Sequence, residues 1–176
     1  MFKDIPAVFV FVLFSMLLAG CNGDLTPTSV GGGPPIQLTL TTDRQIHHQG
    51  EPITVTLLLT NTGSDELLVN ARIAHNRFDA PAPFRDITFV IVGPSGTRVT
   101  TDARIDVGFP ADGDFMSIAP GGSVARVYGQ INGLYPIQTL GVYSVQAIYQ
   151  NQDDPSFGTA WKGEASSNVA TFTLEP

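Results

Sequence analysis

Cysteine is almost absent: Cys21 stands alone in 176 residues. A single cysteine has no partner in its own chain, so no intrachain disulfide holds this fold. Lysine is nearly as scarce, with only Lys3 and Lys162. Basic residues number 9 against 16 acidic ones, a net charge of −7. Removal of residues 1–20 takes away Lys3 and Asp4, one of each sign, and leaves that balance unchanged. Nucleic-acid binding draws on counterion release by clustered Lys and Arg, and scattered bases in an acidic chain exclude it. No window of helical length repeats its apolar residues every 3.6 positions, so α-helices are not expected. The apolar run near the start, within residues 7–19, is shorter than the roughly 20 residues a membrane span needs. Catalytic signatures are missing too. There is no G-x-S-x-G elbow, and none of His47, His48 and His75 opens an H-E-x-x-H. The chain is expected not to be an enzyme and to carry no cofactor.

The chain does contain 18 glycines, 13 prolines and several alternating β-branched runs. Together these predict an all-β fold. Residues 36–42 alternate with Ile36, Leu38 and Leu40 on one face. Residues 53–61 place Ile53, Val55, Leu57 and Leu59 inward against Thr54, Thr56 and Thr60. Residues 86–92 do the same with Ile87, Phe89 and Ile91, and residues 141–150 with Tyr143, Val145, Ala147 and Tyr149. Period two over such lengths is the mark of a strand with one buried face. Shorter strands are predicted over 67–74 and 97–100, two within 115–131 on either side of a Pro-Gly turn, the second with Val124 and Val127, and one over 168–176 with Ala170, Phe172 and Leu174. Residues 101–114 and 151–167 read as loops.

Residues 1–20 run from a short start with Lys3 through an apolar middle to Ala19 and Gly20, the three zones of a secretory signal. Leu18-Ala19-Gly20-Cys21 resembles the lipobox of bacterial lipoproteins. That resemblance implies that the signal is cut before Cys21 and that Cys21 becomes an acylated N-terminus. Two or more acyl chains anchor stably where one does not. Asn22, rather than Asp, follows the cysteine, which in such lipoproteins leans toward the outer membrane. Residues 21–35 then form a Gly/Pro/Ser/Thr-rich flexible tether able to span roughly 45 Å. A domain over 36–176 completes the expected layout.

Within that domain, Gly50-Glu51-Pro52, Asn61-Thr62-Gly63, Ala119-Pro120-Gly121-Gly122-Ser123 and Gly141-Val142-Tyr143-Ser144-Val145 are landmarks. Their order resembles the immunoglobulin-like region that precedes the catalytic domain of deuterolysin-like (aspzincin) metallopeptidases. It is also similar to the bacterial intracellular proteinase inhibitor family. The resemblance implies an immunoglobulin-like antiparallel β-sandwich of about seven to nine strands. In such a fold Tyr143 is expected as the tyrosine corner, its hydroxyl bonded to backbone upstream. The peptidase activity does not carry over, since the zinc motif is missing.

Other chemistry is weighed on the residues themselves. Asp102, Asp106, Asp112 and Asp114 crowd one loop without EF-hand spacing, so a solvated acidic loop is expected and no metal. His47 and His48 are adjacent and would face opposite sides of a strand, which disfavours a shared zinc. Single histidines in loops are expected to be solvated. Trp161 and Phe157 are candidate partner contacts in a loop, with Trp161 alternatively folding back on the core. A carbohydrate-binding face would need an exposed row from Tyr128, Tyr135 and Trp161. The function expected is a lipid-anchored, non-catalytic protein of the bacterial envelope that binds or scaffolds a protein partner. A proteinase inhibitor is the alternative.

Overall fold

The computed structural model describes residues 35–75, 86–101 and 108–176. The signal, Cys21, the tether, Asp102 and Asp106 lie outside the described residues. Those that are described form an all-β protein, with two single 3-10 turns and no α-helix. In chain order the strands are β1 (Ile36–Thr42), β2 (Ile46–His48), β3 (Val55–Asn61), β4 (Leu67–Asn70), β5 (Asp86–Val92) and β6 (Arg98–Val99). They continue as β7 (Phe115–Ile118), β8 (Ser123–Tyr128), β9 (Gly141–Asn151), β10 (Gly163–Ser166) and β11 (Ala170–Glu175).

Three sheets result. β1, β3 and β8 form one, in that order. β2, β11, β9, β5 and β6 form the second, with β10 also on β9. β4 and β7 form a pair. All contacts between neighbours are antiparallel except β11 with β2. The alternation read from sequence sets which face is inside. Leu38 and Leu40 of β1, Val55, Leu57 and Leu59 of β3, Ile87, Phe89 and Ile91 of β5, and Tyr143, Val145, Ala147 and Tyr149 of β9 are buried in one shared core. A one-residue slip of β3 would send Val55, Leu57 and Leu59 to water and bring in Thr56 and Thr60. At about 1.5–3 kcal/mol per buried aliphatic side chain, that costs several kcal/mol and fixes the register.

The strand count exceeds the expected seven to nine. Eleven strands are present among the described residues, and the additions are β2 and β10. Each is three or four residues long, too short for a period to show. β10 lies inside the stretch 151–167 that reads as a loop, and it pairs with the last residues of β9. Val124 and Val127 both lie on β8, as expected, Val124 half-buried and Val127 63% exposed. One further expectation changes: the histidines are not uniformly solvated. His47 is fully buried on β2 while His48 faces out, and His75 is buried with Nε2 2.9 Å from the Tyr135 hydroxyl.

Candidate binding surfaces

Polar chemistry inside the molecule centres on Asp86, which is 1% exposed. Asn70 Nδ2 donates to its carboxylate at 2.8 Å and Arg72 Nε at 3.3 Å, with Arg72 Nη2 on the second oxygen. Arg72 also donates to the carbonyls of Phe109 (3.3 Å) and Gly108 (3.2 Å), and lies 3.8 Å from Asp114. The Tyr149 hydroxyl donates to the Asn70 carbonyl at 3.0 Å. The Tyr128 hydroxyl donates to the Ile73 carbonyl, and the Arg126 guanidinium to that of Arg72. Burial pushes both phenols well above the ordinary tyrosine range, so they act as fixed donors. Ile73 (φ 42°) and Asp86 (φ 57°) hold left-handed backbone, which is costly for a β-branched residue. This is a joint that ties β4, β5, β8 and β9 together. No run of residues in the sequence announces it. A second buried group is His47, packed edge-on to Phe172 at 5.6 Å with the Asp43 carboxylate 3.5 Å away. Neither of its ring nitrogens has a hydrogen-bond partner among the described residues.

The residues singled out from sequence are scattered rather than gathered. The Tyr143 hydroxyl accepts from Thr139 N–H at 3.0 Å and donates to Thr139 C=O at 2.8 Å. Trp161 is half-buried and its indole stacks on Tyr149 at 5.8 Å, while its backbone N–H donates to the Leu68 carbonyl. Gly163 makes room for it, since a Cβ there would sit 3.0 Å from the indole. Phe157 is 63% exposed. Tyr135 is buried and the Tyr128 hydroxyl points inward, so these two and Trp161 form no exposed aromatic row. In the acidic loop, the Asp112 carboxylate accepts from Ser156 N–H (2.8 Å) and hydroxyl, and that of Asp114 from Ala111 N–H (2.8 Å). No cluster of three metal-ligating side chains occurs among the described residues.

The surface itself is informative. On the outer side of the β1–β3–β8 sheet, the register aligns Gln37–Thr60–Ser123, Thr39–Leu58–Ala125 and Thr41–Thr56–Val127. None of these nine side chains is charged, in a chain carrying 16 acids. The Thr60 and Ser123 hydroxyls bond each other at 2.8 Å, and Leu58 and Val127 are exposed. The outer face of the larger sheet differs. There a depression of about 180 Å³ between Thr88, Val90, Ile148 and Gln150 is flanked by Arg98 and Glu164. The sequence signal for the uncharged face was present in the outward Thr positions of β3, but the pairing that completes it was not.

No protein-family model matches this chain, and no curated protein matches it. Among solved structures, it is similar to the alkylpurine DNA glycosylase AlkC of Pseudomonas fluorescens bound to DNA containing an abasic-site analog. Identity is 12% and the TM-score 0.38, over 83% of this chain and 32% of that one. The chain thus spans about a third of that protein. Because this neighbour is an enzyme, the expectation of a non-catalytic chain is withdrawn. At that TM-score the likeness carries no argument for an activity either.

Proposed function

We propose that this protein is a lipid-anchored component of the bacterial envelope, in the outer membrane, whose immunoglobulin-like β-sandwich binds a protein partner. The anchor reading rests on Leu18-Ala19-Gly20-Cys21, and the sandwich reading on sheets that bury facing sides in one core. One observation carries the binding reading: the uncharged outer face of β1, β3 and β8, with Val127 63% exposed at its border. Charged residues are depleted at the centres of protein interfaces, because burying an unpaired charge is costly. A molecule with net charge −7 keeps this patch free of that cost.

The test is photo-crosslinking in intact cells. A photo-reactive amino acid replaces Val127 in one strain and Phe157 in another. A discrete adduct from position 127, absent or much weaker from position 157, is the expected result. Adducts from neither position, or from 157 alone, would remove this face from consideration.

A further inference from the structure

The backbone at the border of this face has unmet hydrogen-bonding capacity. Asn61 N–H donates to the Gly122 carbonyl at 3.0 Å, and Gly121 N–H to the Asn61 carbonyl at 2.9 Å. Odd-numbered residues of β3 therefore aim their peptide groups at β8. Along the antiparallel ladder they meet Val124 (from Leu59), Arg126 (from Leu57) and Tyr128 (from Val55). By the same alternation, the N–H and C=O groups of Ser123, Ala125 and Val127 point away from the sheet. No backbone hydrogen bond reaches them among the described residues.

Among the described residues the other edges are short or covered in part, β5 by β6 at Ile91 and Val92 and by Ala74 and His75 at Ile87. On β1, the Asn168 side chain takes the place of a neighbouring strand. Its Oδ1 accepts from Leu40 N–H at 2.8 Å and its Nδ2 donates to Leu40 C=O at 3.0 Å. A bridge from Leu38 to Ser167 extends that cover. β2, β6, β7 and β10 have two to four residues each. β8 runs for six, with no proline and no bulge in its pairing. Long open edges invite a further strand, and proteins ordinarily block them.

Charge says what kind of strand fits. Arg126 is the only charged residue between Asp114 and Asp153. It is exposed, 6.0 Å from the Tyr128 ring centroid, and among the described residues its hydrogen bond goes to the Arg72 carbonyl. In an antiparallel pair formed on the outward groups, Arg126 takes a non-hydrogen-bonded position, where facing side chains approach most closely. A second copy of β8 cannot answer it. Two-fold pairing sets Arg126 against itself, Val124, Tyr128 or Gly122, and no acid lies in or beside the strand.

The geometry points to β8 as an acceptor edge for an extended segment of a different protein, added as an antiparallel strand with a carboxylate facing Arg126. This deepens the protein-binding reading above and rests on it. The test uses the full chain in cells, with the photo-reactive residue at position 127 as reporter. Ala125→Pro removes one outward N–H and leaves the β3 ladder whole. The adduct is expected to fall tenfold or more. Ser123→Pro is the second variant should Ala125→Pro fail to fold, with folding checked by circular dichroism of the purified protein. Arg126→Glu is expected to lower the yield severalfold.

An adduct undiminished in the folded proline variants would overturn strand addition and leave face binding standing. Loss in those variants without any effect of Arg126→Glu would overturn the carboxylate. An adduct of twice the chain's mass would replace the partner by a second copy. No adduct from the parent protein would fell the binding reading itself, and this inference with it.

Discussion

Asp86 bears two costs at one position, a buried charge and a left-handed backbone. Strand parity would put it outside with Thr88 and Val90. The φ of 57° turns its side chain inward instead, onto Asn70 and Arg72. Asp86→Asn keeps a residue tolerant of that backbone but removes the buried carboxylate charge that faces the guanidinium, whose side chain is 14% exposed. The expected loss is about 3 kcal/mol, read from denaturant unfolding, with part regained when Arg72→Met is added. Exposed carboxylates govern the acid side. A Ser156 hydroxyl and N–H hold the Asp112 carboxyl below its ordinary 3.8, Lys162 chiefly does so for Asp154, and the His48 N–H holds Glu51 below 4.5. Groups with lowered native values stabilise the fold above their unfolded values and lose that contribution as pH falls through the native ones. Stability is therefore expected to decline from about pH 4.5 downward, and Asp112→Asn to flatten the decline. Denaturation midpoints across pH 2 to 7 check both.

At the level of elements, the long alternating strands were legible because each buries one face. Ile53, Val55, Leu57 and Leu59 read as inward residues in the sequence and are buried in the structure. β2 and β10 were not legible, since three or four residues carry no period and both depend on neighbours distant in sequence. The Asp86 joint was hidden for a related reason. Asn70, Arg72 and Asp86 meet across a gap in sequence that no local pattern marks. The uncharged face was half legible: Thr54, Thr56 and Thr60 read as outward, but the partners beside them came only with the register. The Asn168 clamp on β1 yields a prediction at this scale. Asn168→Ala removes two hydrogen bonds worth about 1 kcal/mol each and uncovers Leu40 on the β1 edge, leaving the Leu38–Ser167 bridge. A modest loss of stability with concentration-dependent association is expected, the second followed by light scattering.

For the whole molecule, the proposed anchor sets where any surface can act. Cys21→Ser is expected to abolish incorporation of labelled fatty acid and move the protein from the membrane to the soluble fraction. Retention in the membrane without label would point to a different attachment. The two edges of the small sheet add a constraint of another kind. A sheet open at both sides can propagate, each added strand exposing a fresh template. Here one side is sealed by the Asn168 amide, and only the β8 side offers a long run. The valence of the small sheet is one. Copies of this chain crowded on a surface, each with one open edge in this sheet, can pair through it only in twos and have no route to an endless fibre of their own.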